Sequence, residues 1–250
     1  MKKIFITGAS SGIGESLARH YANQGAQLGL LARRADWLER VAASITPRPE
    51  IYACDVRDAQ GLTAAADDFM AKHGTPDIVI ANAGVSRGTL TEMREDIPVF
   101  QQIFDTNVMG MVNTFHPFVD AMKNQHDGTL VGIASVAGFR GIPGGGAYSA
   151  SKAATIRYCE SLRVELRTAG VAVVTICPGY IRTPMTAVNK FKMPFLIDVD
   201  QAVIRFARAI EAKTSFTVIP WTMGIAARVL RLVPNWLYDR VFSRMPRKPR

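Results

Sequence analysis

Residues 3–24 narrow most sharply what this chain can become. Lys3–Thr7 is a short β-branched and aromatic run that stops abruptly at Thr7-Gly8-Ala9-Ser10-Ser11-Gly12-Ile13-Gly14, after which Glu15–Gln24 takes up helical periodicity. Strand, glycine turn and helix in that order let backbone approach a phosphate closely and let a helix pack tightly on a strand. The helix N-terminus then faces an anion. As the first such turn of the chain, Gly8, Gly12 and Gly14, with Ser10, Ser11 and Ile13 between them, form a candidate phosphate cradle.

The same alternation continues. Gln27–Leu31, Ile51–Cys54, Ile78–Ala81, Thr129–Ala134, Val171–Ile176 and Ser215–Ile219 read as further strands, separated by helix-period segments such as 59–72, 108–122 and 201–212. Strands alternating with helices of this length imply a doubly wound parallel α/β sheet of about seven strands with helices on both faces. Ligands of such sheets bind beyond the C-terminal strand ends. Asp55 and Val56 follow the third strand and Asn82-Ala83-Gly84 the fourth. No internal repeat or linker interrupts the pattern, so residues 1–220 read as one domain and 221–250 as a basic amphipathic tail on the same domain or a partner.

The second strand leads into Ala32-Arg33-Arg34, where an NAD-preferring protein would usually carry a carboxylate for the ribose 2′-hydroxyl. Two guanidiniums attract a 2′-phosphate instead, which favours NADP(H) with NAD(H) as the alternative. Asp36 is the nearest acid, and its position predicts a cap on the helix carrying Trp37, Leu38 and Val41.

Tyr148 and Lys152 lie four residues apart, so on a helix they share a face. A nearby cation favours phenolate, and the pair predicts a lowered tyrosine pKa; a shift of about three units needs roughly 4 kcal/mol.

These motifs together resemble the short-chain dehydrogenase/reductase family in its short single-domain branch. The likeness runs from Lys3 to about Pro220 through the glycine turn, Asp55, Asn82-Ala83-Gly84, Asn107, Ser135, Tyr148 with Lys152, and Pro178-Gly179 with Thr183. Ala81 stands where the family usually has a second asparagine, a change expected to affect packing and not chemistry. The resemblance implies a Rossmann-type fold and an oxidoreductase acting on a ketone/secondary alcohol pair. It implies that Tyr148 is the general acid or base, that Lys152 lowers its pKa and binds the nicotinamide ribose, and that Ser135 hydrogen-bonds the substrate oxygen. It further implies that Asn107, read as lying inside a helix over 106–122, holds a proton-relay water, and that Ile181 and Thr183 hold the nicotinamide end. Family members usually assemble as dimers or tetramers. The competing readings are an NAD-dependent alcohol dehydrogenase of the same family and a non-catalytic dinucleotide-binding regulatory or membrane-associated protein.

A lid is expected over about 184–200, where Met185, Phe191, Met193 and Phe195, with Phe139 and Ile142, would make an apolar wall for a lipophilic substrate. The chain has 250 residues, 48% hydrophobic and 20% charged, and lacks an apolar run long enough to span a bilayer. That balance predicts a cytoplasmic protein. The distant Cys54, Cys159 and Cys177 read as reduced, and the four histidines have no ligand spacing, so no metal is expected. Of the net charge of +9, six units fall on residues 221–250, seven cations against Asp239 alone. This is not the interleaved basic and aromatic pattern of a nucleic-acid binder. It suits either a membrane-surface helix, with Ile225, Val229 and Leu232 on one stripe, or packing on a subunit or over the cleft.

Overall fold

The structure is a computed structural model that describes residues 1–189 and 192–243. The strands are β1 (Lys3–Thr7), β2 (Gln27–Ala32), β3 (Glu50–Ala53), β4 (Ile78–Ala81), β5 (Thr129–Ile133), β6 (Ala172–Pro178), β7 (Ile181–Arg182), β8 (Ile197–Asp198) and β9 (Phe216–Ile219). Seven of them form one parallel sheet in the order β3-β2-β1-β4-β5-β6-β9; β7 and β8 pair separately. Around the sheet run α1 (Gly12–Ala22), α2 (Ala35–Ala43), α3 (Ala59–His73), α4 (Ile97–Phe104), α5 (Gly110–Asn124), α6 (Gly146–Glu165), the short α7 (Pro184–Ala187), α8 (Val199–Glu211), α9 (Trp221–Leu232) and α10 (Asn235–Phe242).

Successive strand side chains point to opposite faces, and both faces are apolar because both are covered. Ile4, Ile6, Leu28 and Leu30 meet α1, α2 and α8 on one side. Phe5, Leu31 and Val79 meet α3, α5 and α6 on the other. There Phe5 lies 5.6 Å from the Phe69 ring and 5.0 Å from Phe118, centroid to centroid. Losing a buried ring of this kind costs about 3–5 kcal/mol.

The chain leaves β1 toward β2 on one side and β4 toward β5 on the other, so a crevice opens beyond the ends of β1 and β4. Asn82 bridges it: its Nδ2 donates to the Thr7 and Gly8 carbonyl oxygens, both at 3.1 Å.

Two local expectations are corrected. Arg34, in an extended conformation, is the N-cap of α2, which begins at Ala35. Asp36 therefore sits inside the first turn, where a carboxylate favours the helix dipole but does not cap. Asn107 lies on a π-helical turn, Asp105–Met109, inserted between α4 and α5, and not on regular α-helix. The inserted residue turns everything after it by about 100°, but one wide turn is too short for windowed periodicity to register.

The described part of the tail, residues 221–243, is docked on the domain. Gly224 of α9 lies so close to β9 that a Cβ there would stand 3.0 Å from Val218 Cβ. Arg140 donates to the Leu230 and Val233 carbonyl oxygens and to Asn235 Oδ1, and stacks 3.9 Å over the Tyr238 ring. Tyr238 is buried, and its hydroxyl donates to the Gly141 carbonyl.

Candidate active site

The turn after β1 is built by exclusion of side chains. Gly8 and Gly12 have φ of +68° and +59°, a region L residues avoid, and a Cβ on Gly8 would lie 2.7 Å from Ala83 Cα. A Cβ on Gly14 would lie 2.3 Å from the Gly8 carbonyl oxygen, so this glycine lets α1 seat against the turn. The result is a cleft of about 340 Å³ running from Ser10, Ser11 and Arg34 past Asn82–Gly84 to Tyr148, Lys152, Gly179 and Thr183. A backbone cradle at a helix N-terminus, continuous with two guanidiniums, fits the diphosphate and adenosine end of a nicotinamide dinucleotide.

The two arginines differ in their partners. Arg34 Nη2 reaches Ser10 Oγ at 3.4 Å and Ser11 Oγ at 3.3 Å, with its guanidinium 3.8 Å over the Trp37 ring. It is held over the glycine turn before any ligand arrives. Arg33 also lines the cleft, with Nη1 3.7 Å from Asp55 Oδ2.

Asp55 itself does not line the cleft. Its carboxylate takes Nε and Nη2 of Arg57 at 3.1 and 2.8 Å. Burial works against its ionisation, but Arg57 and then Arg33 outweigh it and hold the carboxyl below the usual range. Its neighbours Cys54 and Val56 line the cleft in its place. Gly14 and Asn107 also stand behind the wall and not on it.

Tyr148 occupies the first turn of α6 and Ser135 the second residue after β5, and the connection between the two elements brings their hydroxyls together. The Ser135 Oγ accepts from Ala137 N at 3.1 Å, which fixes it as the cap of the turn Val136–Gly138. Tyr148 is pushed above the ordinary tyrosine pKa, chiefly by desolvation, with the Ser135 hydrogen bond pulling the other way. Lys152 is buried; its Nζ donates to the Ile133 carbonyl at 2.8 Å and lies 5.9 Å from the Tyr148 ring centroid. Desolvation brings its own pKa down from 10.5 to about 8, against the weaker opposing effect of Cys177 and Cys159.

The expected lowering of the Tyr148 pKa by Lys152 is therefore not what the folded chain shows. The ammonium is spent first on a carbonyl, and water exclusion dominates the phenol. A phenol with a raised pKa stays protonated at neutral pH, the state of a proton donor.

Asn107 is 1% exposed. Its Nδ2 donates to the Val85 carbonyl and to Ser151 Oγ, both at 3.0 Å, and its Oδ1 accepts from Val85 N at 2.8 Å. Both amide protons are used, so one lone pair on Oδ1 is what the side chain keeps for a water. Its evident structural effect is to clamp the segment after Gly84 beside Lys152.

At the substrate end, Met185 lines the cleft, whereas Phe139 turns away. Phe139 packs with Ala134, Cys177 and Val218 and lies 6.1 Å from the Phe216 ring. Ile142 and Phe195 are exposed, neither lines the cleft, and Phe191 lies outside the described residues. Among the described residues the apolar wall is thus narrower than the sequence suggests. Thr186, which sequence reasoning missed, pins the start of α7: its Oγ1 donates to the Ile181 carbonyl at 2.6 Å and accepts from Thr183 N at 3.0 Å. Thr183 three residues before Thr186 at a helix start is a capping pattern that could have flagged it. The pairing of β7 with β8 and the Arg182–Asp198 ion pair at 2.7 Å bring residues 181–182 and 197–198 together.

This fold and cleft define a nicotinamide-dinucleotide oxidoreductase of the doubly wound α/β class. Residues 2–193 match the short chain dehydrogenase family, and the chain belongs to it. An uncharacterized oxidoreductase of Myxococcus xanthus is 37% identical over 245 residues, 96% of each chain. The oxidoreductase UcpA of Salmonella typhimurium is 39% identical over 189 residues, 74% of this chain and 71% of that one. Among solved structures, the 3-ketoacyl-(acyl-carrier-protein) reductase of Brucella melitensis complexed with NADH superposes with a TM-score of 0.80 at 26% identity, over 87% of this chain and 94% of that one. The alcohol dehydrogenase of Thermococcus sibiricus complexed with 5-hydroxy-NADP gives 0.75 at 27% identity, over 88% and 96%. The chain is thus an NAD(P)-dependent dehydrogenase/reductase.

Proposed function

We propose that the protein is an NADP(H)-dependent reductase of a ketone, with Tyr148 as the proton donor and a secondary alcohol as the product. The observation that carries this reading is the meeting of Ser135 and Tyr148 at the cleft with Lys152 one turn further along α6. Bound NADPH supplies the hydride that the carbonyl carbon gains. Ser135 turns its hydroxyl to the carbonyl oxygen and stabilises the negative charge that grows there. Tyr148 gives its phenolic proton to the same oxygen, so the carbonyl gains one hydride and one proton and leaves as the alcohol. Lys152, charged at neutral pH with a pKa of about 8, then faces the phenolate and offsets its charge until a solvent proton restores it. Asn107 acts as a positioning residue through its clamp on Val85, with its free lone pair as the place for a relay water.

The NADP preference rests on Arg34, already poised over Ser10 and Ser11, with Arg33 beside it. The relatives do not decide it, since one solved neighbour holds NADH and another 5-hydroxy-NADP. A lipophilic substrate is supported by Met185 on the cleft. Assembly of copies through α5 and α6 is supported by Met109, 50% exposed at the head of α5, and Val164, 62% exposed on α6.

Titration by nicotinamide fluorescence tests the cofactor assignment. NADPH is expected to bind at least about tenfold tighter than NADH, about 1.4 kcal/mol, and the Arg33→Ala/Arg34→Ala double variant should lose that margin. Equal affinities in the parent protein would make the arginines surface residues and overturn the NADP preference.

A further inference from the structure

We propose that α9 and α10 form a docking face for an anionic lipid surface. Trp221, Ile225, Val229 and Leu232 recur at i, i+4, i+8 and i+11, a single stripe about 16 Å long on α9. Folding does not bury that stripe: Trp221 is 69%, Leu232 84% and, on α10, Trp236 68% exposed. What α9 gives to the domain is its other side, Gly224 and Ala227. Two tryptophans and three branched aliphatics in water are far more apolar surface than a helix needs for its own packing.

The charges decide what such a face would meet. α9 carries Arg228 and Arg231 and no acid, and among the described residues neither arginine has a carboxylate partner. α10 adds Arg240 against Asp239, and the sequence beyond it adds four more cations and no acid. A second copy of this chain fits poorly. A two-fold contact sets a patch against itself, so the unpaired arginines would face their own counterparts. Anionic lipid headgroups match them, while the tryptophans and aliphatics enter the headgroup boundary. No helix among the described residues is long and apolar enough to cross a membrane, so the mode is lying on the surface and not spanning it.

The face is also held rigidly. Arg140 caps the end of α9 through the Leu230 and Val233 carbonyls, and Tyr238 ties α10 to Gly141. Gly141 belongs to the connection that leads from Ser135 to Tyr148. Docking through α9 and α10 would therefore fix the orientation of the catalytic domain over the bilayer.

Cosedimentation with vesicles tests this without reference to turnover. The full chain should bind phosphatidylcholine/phosphatidylglycerol vesicles about tenfold or more better than phosphatidylcholine alone, and high salt should erase the difference. Trp221→Glu/Leu232→Glu should abolish binding, and Arg228→Gln/Arg231→Gln should weaken the preference for anionic lipid. Unchanged NADPH binding by each variant would certify its fold. Absence of vesicle binding, or binding that the variants do not alter, would overturn the proposal. So would a drop in oligomeric mass caused by Trp221→Glu/Leu232→Glu with vesicle binding intact, which would assign the face to a second copy.

Discussion

Replacing Tyr148 by Phe is expected to lower kcat for ketone reduction by about 10²–10⁴-fold, with NADPH affinity and thermal stability little changed. The substitution removes one oxygen from a ring that otherwise keeps its packing. That oxygen is the group bonded by Ser135 and raised in pKa by desolvation. The loss corresponds to about 3–5 kcal/mol of transition-state stabilisation at 1.36 kcal/mol per tenfold. In the wild type, the reduction rate should hold level through neutral pH, because a phenol with a raised pKa remains protonated there. It should fall as pH passes about 8, where Lys152 loses the charge that offsets the developing phenolate. A profile that rises through that range would contradict the assignment of Tyr148 as an acid.

Lys152→Met should separate function from stability in opposite directions. Turnover should fall by about 10²-fold or more, because nothing then offsets the phenolate. Stability near neutral pH should rise by about 1–2 kcal/mol. The sign follows from linkage. A lysine with a folded pKa of about 8 against an ordinary 10.5 binds its proton more weakly folded than unfolded. Below about 8 the fold carries a buried charge at a cost on the order of 3 kcal/mol. Stability therefore climbs as pH rises from about 8 to 10.5 and levels off beyond. Methionine removes the charge at every pH, but it leaves the Ile133 carbonyl without its donor, which returns about 1 kcal/mol. Chemical denaturation of both proteins at several pH values would show the gap narrowing upward; a variant less stable than wild type at neutral pH would contradict the account.

Much of this was legible in the sequence because it is encoded locally. The glycine turn is contiguous, and the positive φ of Gly8 and Gly12 follows from residues within one motif. The alternation of Ile4, Phe5 and Ile6 announces a strand covered on both faces, and it packs as such. The four-residue spacing of Tyr148 and Lys152 survives on α6. What the sequence concealed depends on contacts between distant segments or on a single residue of register. Phe139 follows Ser135 closely yet turns toward Phe216 on the edge strand. The π turn displaces Asn107 from regular helix, and its amide serves Val85 and Ser151. Arg140 finds its partners about ninety residues downstream, in a tail whose docking no local pattern announces. The direction of the Tyr148 pKa shift was missed for a related reason. Proximity of Lys152 in sequence speaks for a lowered value, whereas the exclusion of water around the phenol is a property of the assembled cleft.

The central claim is that the Ser135–Tyr148–Lys152 cleft reduces a ketone with NADPH, and its most direct measurement is NADPH consumption followed by absorbance across a panel of lipophilic ketones. The account expects ketone-dependent consumption by the wild type, matched one for one by secondary alcohol and lost in Tyr148→Phe. NADPH binding without turnover of any ketone, or equal rates in the wild type and the variant, would contradict it.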